Sequence, residues 1–189
     1  MAFNPNIFTN SDLATIRLLS PSRSAPRNQP IRKITWHHTA GVLRAQTIAN
    51  IQQSSGSSYN YGVGNDRQIA LIVEERNRCW GTSSAINDNE AVVLGISNSA
   101  MGGDWPVDDE VIARSIILST DICWRNGIQK LIWTGGRDGT LTTHDMFAAT
   151  ACPGTYLRRR MPDICREINL NLVEYRFGET LWEGRTYKI

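Results

Sequence analysis

Ala91-Val92-Val93-Leu94-Gly95-Ile96-Ser97 carries no charge and is built of β-branched and small residues, the composition of a strand covered on both faces. Shortly downstream, residues 107–126 predict an amphipathic helix. Val111, Ser115, Leu118 and Ile122 line one face, and Ile112, Ile116, Ser119 and Cys123 widen the stripe. Asp108, Asp109 and Glu110 complement the helix dipole in the first turn, and Gly127 supplies a stop. A strand buried on both faces followed by a one-sided helix implies helices layered on a sheet.

Working outward, the same alternation continues. Residues 31–36 read as a short strand ending at His37-His38, and residues 43–53 as a helix stopped by Ser-Ser-Gly. Residues 59–63 and 68–73 read as two strands joined by Gly64-Asn65-Asp66-Arg67, whose Gly and Asn tolerate positive φ. Residues 130–134 predict a further strand, followed by a loop at 135–139. Pro153 opens a last helix through Tyr156, Leu157, Met161, Ile164, Cys165 and Ile168, with a break or kink expected at Pro162. Residues 1–30, rich in Asn, Ser and Pro, are expected to wrap the domain, with one helical piece at 11–19. Residues 170–189 change character and read as one or two short strands. The expected fold is therefore α/β, a mixed central β-sheet flanked by helices.

At 189 residues the chain is sized for one domain. Its 41% hydrophobic and 20% charged residues exclude a disordered body, and a net charge of +2 shows no nucleic-acid footprint. The amino terminus lacks a basic start and an apolar core, so it does not read as a secretory signal, and no stretch has the apolar length of a membrane span. Synthesis in a cytoplasm follows, and Cys79, Cys123, Cys152 and Cys165, which form no short-spacing motif, are expected as reduced thiols. Cys123 and Cys165 sit in apolar surroundings typical of small core residues. Arg158-Arg159-Arg160 reads as a solvated helix face. Asn87 and Asn89 read as residues that fix the loop before the central strand through side-chain to backbone bonds.

The three histidines fall in two segments, Trp36-His37-His38-Thr39 and His144-Asp-Met-Phe-Ala-Ala-Thr150-Ala-Cys152-Pro153. Two imidazoles and a thiolate make three borderline-soft ligands, the set a catalytic zinc takes when its fourth position is left for water. The bland alternative for His37 and His38 is a pair of ordinary histidines closing a buried strand. Cys152 is the cysteine with a metal-binding context.

With Ser58-Tyr59-Asn60-Tyr61-Gly62-Val63-Gly64 and Ser83-Ser84-Ala85-Ile86-Asn87-Asp88-Asn89 lying between them, these segments follow one another in an order that resembles the type 2 N-acetylmuramoyl-L-alanine amidases. This is the superfamily of phage lysozyme-type amidases and peptidoglycan recognition proteins. The resemblance covers about residues 30 to 170 and is closest to enzymes of phages and prophages of Gram-positive bacteria. It implies one Zn2+ held by His37, His144 and Cys152, with His38 as a neighbour. It also implies Tyr59 as oxyanion donor and Thr150 as a second hydrogen-bonding catalytic residue, with Thr39 and Trp80 lining the substrate groove. Many relatives carry a Glu on the strand after the Asn-Asp-Asn segment; residues 91–97 have no acid, so a carboxylate base from that strand is not expected.

The implied activity is hydrolysis of the lactyl amide between N-acetylmuramic acid and L-alanine of peptidoglycan by a monomeric endolysin. Such an enzyme is made in a bacterial cytoplasm and released to the wall by a holin or by lysis. The implied catalytic domain is residues 1–170, and residues 171–189 would be a terminal hairpin or the start of a wall-binding module. Two rivals remain at this stage: a non-catalytic peptidoglycan-binding module of the same fold, whose members usually lose the Cys ligand, and a cytoplasmic muropeptide-recycling amidase, whose members carry Asp at that place.

Overall fold

The computed structural model describes residues 9–176. The elements run β1 (Ile16–Arg17), β2 (Arg23–Ser24), β3 (Lys33–His38), α1 (Ala45–Ile51), β4 (Tyr61–Val63), β5 (Ile69–Leu71), β6 (Arg78–Cys79), α2 (Ala85–Glu90), β7 (Ala91–Ile96), α3 (Asp109–Arg125), β8 (Leu141–Thr143), a 3-10 turn (His144–Met146) and α4 (Gly154–Arg176). Six strands form one mixed sheet in the order β1-β5-β4-β7-β3-β8, and β2 pairs with β6 in a small second sheet. Within the large sheet β4 and β5 are antiparallel, and the other neighbours are parallel.

The uncharged run that opened the reading is β7, buried along its whole length between β4 and β3. Period-two alternation then sorts side chains onto two faces. Ile34 and Trp36 of β3, Val92, Leu94 and Ile96 of β7, and Tyr61 and Val63 of β4 face α3 and α4 in one core cluster. The Trp36 indole N–H donates to Ser119 of α3 at 3.2 Å, so this large ring is buried with its polar atom satisfied. The opposite face packs Ala91 and Val93 against Ala45, Ile48 and Ala49 of α1. A Cβ on Gly62 would come 2.8 Å from Ile48, so the missing side chain lets α1 lie close to the sheet.

Several expectations are corrected. Residues 11–19 form no helix; Thr15, Leu18 and Ser20 donate their backbone N–H groups to Ile69, Leu71 and Ile72, closing the edge of β5 with β1. Ile16 and Leu18 pack into the cluster with α1, while Leu13, Ala14 and Leu19 pack into the cluster with α3. Residues 130–134 are not a strand. The Ile132 carbonyl accepts from Thr140 and Leu141, the Leu131 N–H goes to Asn169 of α4, and the edge of β3 is taken by β8. In the turn after β4 the residue with positive φ is Arg67, at 61°. Tyr59 stands just before β4 and not within a strand.

α4 continues through Pro162 to Arg176, so residues 170–176 are helix and not strand. Pro162 lies on the exposed side, while Met161, Ile164, Cys165, Ile168 and Leu172 keep one apolar stripe against the core. The remainder of the expected terminal hairpin lies outside the described residues. Nor is the arginine triplet merely solvated: Arg158 donates to Thr143 and to the Gly135 carbonyl, both at 2.7 Å, Arg159 pairs with Asp104, and Arg160 with Asp109.

The N-terminal segment is tied down by Arg27. Its guanidinium donates to the carbonyls of Glu75 (2.5 Å), Asn89 (2.6 Å), Asn77 (3.0 Å), Ala91 (3.2 Å) and Asp88 (3.4 Å), joining its own segment to residues 75–77 and 88–91. Among the described residues, no helix is long and apolar enough to cross a membrane.

Candidate metal centre

β3, β7 and β8 are parallel, so their C-terminal ends and the loops that follow them gather at one edge of the sheet, where open α/β folds hold their ligands. His37 lies at that end of β3, His144 directly follows β8, and Cys152 closes the loop before α4. One donor atom from each of the three lies within 4.8 Å of the others. Tetrahedral ligand atoms around zinc stand about 3.5 Å apart, so a small contraction would let the three share an ion. The two imidazoles lie side by side at a tilt, centroids 4.3 Å apart and 31° between planes.

Two further observations fit a metal. The Nε2 atoms of His37 and His144 are buried without a hydrogen-bond partner, a state that costs free energy unless another group engages the ring. Burial, reinforced by His144 and His38, pushes the His37 imidazole well below its ordinary pKa, and burial lowers His144 against the opposing pull of Asp88 and Asp145. Both rings are thus held in the neutral form that ligates. Burial pushes the Cys152 thiol up to about 12, so without an ion it stays protonated at neutral pH. Ligation would expel that proton.

His38 points to the other face. Asn98 Nδ2 donates to the carbonyls of Trp105 and Pro106, which turns Asn98 Oδ1 toward His38 Nδ1 at 3.1 Å, and the Ala40 N–H donates to the same ring nitrogen at 3.3 Å. The His38 ring also packs on Trp105 at 4.8 Å. His38 is therefore occupied in anchoring the loop after β7 and does not join the donor cluster.

Tyr59 is half-buried, its ring centroid 5.3 Å from that of His37. His37 pairs in register with Gly95, and a Cβ on Gly95 would lie 2.3 Å from the Tyr59 ring; the glycine makes the space the tyrosine fills. Burial first, then Cys152 and Cys79, raises the phenol above its ordinary pKa, so the hydroxyl keeps its proton as a donor. Among the described residues that hydroxyl has no hydrogen-bond partner.

Thr150 is exposed, and its hydroxyl accepts the Cys152 N–H at 3.2 Å, shaping the loop that carries the sulfur. Thr39 donates its hydroxyl to the Gly41 carbonyl. Trp80 is no core residue: it is 41% exposed, with its indole N–H on Ser24 and its backbone paired to Ser58, next to Tyr59. No acid stands on β7, as expected. Ser97 beyond its end is buried and bonded to Leu43 and Gly41.

Sequence reasoning missed Gly95, Asn98 and Trp105. The one available signal was Gly95, a glycine inside an otherwise bulky strand, which marks close approach by another group. Asn87 and Asn89 were expected to fix a loop, but they belong to the short helix α2, capped by Ser84. Asn89 bonds the Ala85 carbonyl, whereas Asn87 bonds the side chain of Thr35.

Among solved structures, PlyL is similar with a TM-score of 0.63 at 16% identity, over 81% of this chain and 95% of that one. The Staphylococcus aureus hydrolase AmiA in complex with its ligand gives 0.66 at 16% identity, covering 88% and 86%. The N-acetylmuramoyl-L-alanine amidase LysC from Clostridium intestinale URNW gives 0.61 at 18%, covering 82% and 96%. At such identities the likeness is one of fold. No curated protein matches by sequence. The family itself is shown by sequence, since residues 27–155 match N-acetylmuramoyl-L-alanine amidase. The chain is an amidase, and it belongs to the N-acetylmuramoyl-L-alanine amidase family.

Proposed function

We propose that this amidase holds one zinc ion through His37, His144 and Cys152 and cleaves the lactyl amide joining N-acetylmuramic acid to L-alanine in peptidoglycan. The observation that carries this reading is the convergence of three donors from distant parts of the chain, with two buried imidazole nitrogens left unpartnered. When bound, zinc supplies Lewis-acid polarisation of the carbonyl and lowers the pKa of water to about 7.

The chain's own residues do the rest. His37 and His144, kept neutral by burial, offer lone pairs, and with the Cys152 thiolate they leave a site of net positive charge. The Tyr59 hydroxyl donates to the oxygen of the tetrahedral intermediate as charge develops there. Thr150 orders the Cys152 loop and offers a second hydroxyl at its rim. Thr39 and Trp80 border the groove that receives glycan and stem peptide, with the exposed indole face suited to a sugar ring. The catalytic unit proposed is residues 1–170. In this reading the enzyme is a monomeric endolysin of a phage or prophage of Gram-positive bacteria, made in the cytoplasm and admitted to the wall by a holin or by lysis.

Mass spectrometry of purified sacculi after digestion tests the reading. New amino-terminal alanine that vanishes with chelator, and with His37→Ala, His144→Ala or Cys152→Ala, is the expected result. New reducing ends, or full activity in any of the three variants after metal stripping, would overturn it. Intact sacculi left undigested while soluble fragments are cut would indicate muropeptide recycling, and zinc uptake without cleavage would indicate a receptor.

A further inference from the structure

Beneath the two histidines lies a row of buried polar side chains. Thr35 precedes His37 by two residues on β3, and Thr142, in the middle of β8, precedes His144 by two residues. The two threonines are register partners, with hydroxyls 2.9 Å apart and no exposed surface. Asn87 of α2 donates its Nδ2 to Thr35 Oγ1 at 3.0 Å, and the Thr142 hydroxyl reaches the Ile34 carbonyl at 3.4 Å. The bonds therefore form one continuous chain that links Asn87 through Thr35 and Thr142 to the β3 backbone. The other Asn87 hydrogen points to Thr82 at 3.5 Å, and Thr82 donates to Asp88 at 2.6 Å. All five side chains are buried.

The ladder that fixes the histidines relative to each other is short. β8 pairs with β3 over three residues, Ile34–Trp36 against Leu141–Thr143, and His144 is the next residue beyond it. A three-residue edge strand specifies its register weakly by backbone bonds alone. A valine pair would fill the same space with no polar atom to satisfy, so what the hydroxyls add is direction. Metal coordination tolerates only about 0.2 Å in its bond lengths, so a small slide of β8 is felt at the ion.

We infer that the Asn87–Thr35–Thr142 chain is a positioning device, which sets the separation of His37 and His144 and thereby the affinity of the metal centre. The inference rests on the zinc reading above and concerns residues that neither touch substrate nor ligate. Asn87 Oδ1, buried without a partner in this layer, is a spare acceptor on the same device.

The test compares Thr142→Val, which removes the hydroxyl and keeps the shape, with Thr142→Ser, which keeps the hydroxyl. Zinc affinity of the folded protein is measured by competition with a chromophoric chelator, and the visible absorption of the cobalt-substituted chain reports ligand geometry. The Val variant should bind zinc about ten-fold more weakly with an altered cobalt spectrum, the low end for residues that support ligands, while the Ser variant stays near wild type. Asn87→Ala should behave like Val and serves if Thr142→Val does not fold. Equal affinity and spectra in all variants, or equal loss in Val and Ser, would overturn the inference. A wild-type chain that takes up no zinc would instead sink the functional reading, and this device with it.

Discussion

Gly95→Ala adds one methyl group at the place where the Tyr59 ring meets the sheet. That methyl carbon would lie 2.3 and 2.4 Å from two ring carbons, whereas ordinary contact begins at 3.4 Å. β7 cannot retreat, being paired on both sides and buried on both faces. The ring must therefore withdraw by about 1 Å, and a misplacement of that size in a catalytic group costs on the order of 100-fold in rate. His37, His144 and Cys152 are untouched, so zinc affinity should stay at its wild-type value. The assay pairs release of amino-terminal alanine from sacculi with chelator competition for zinc. In a Tyr59→Phe background the same substitution should add little, because the displaced hydroxyl is already gone. Wild-type turnover in Gly95→Ala, or fully additive losses in the double variant, would refute the argument that the glycine acts through the tyrosine.

Tyr59→Phe alone should fold and bind zinc but turn over about 100 to 1,000-fold more slowly, and unchanged turnover in the alanine-release assay would remove the oxyanion role. In chelator, the buried His37 resists protonation while the unfolded chain takes up a proton near pH 6.5, so its contribution to stability is complete above that pH. That contribution declines as pH falls from 6.5 toward the lowered folded value. Thermal melts from pH 8 to 5 should show a steeper acid loss than His37→Asn, and identical profiles would count against it. Arg27→Met strips five carbonyls of their donor and should destabilise the fold by about 3 kcal/mol or more in urea titration, and a loss under 1 kcal/mol would show that water replaces the guanidinium.

The elements that were legible in sequence are those whose pattern is long. β7 reads as buried because seven consecutive residues carry no charge, and α3 because its stripe repeats over four turns. The candidate donor set was legible because the histidines are few, fall in two segments, and the second of these also carries Cys152. β1 was not, since apolar residues at 13, 14, 16, 18 and 19 fit a helix and a strand alike, and the open edge of β5 decides between them. β8 is too short for any periodicity, and residues 130–134, which look more strand-like, find their partners in Thr140 and Asn169 instead. Pro162 misled because its missing N–H falls on the exposed side of α4, where packing against α3 outweighs the lost bond. The layer under the histidines was hidden because nothing local distinguishes a threonine that bonds across strands from one that merely fits a sheet.

Both rims of the large sheet end in fragments, β1 with two residues on one side and β8 with three on the other. A stray strand from a neighbouring molecule finds almost no free backbone row to zip onto, so the long hydrogen-bonding interior of β3 and β7 is never offered as a template. Such blunted rims favour high concentration without fibrous self-association.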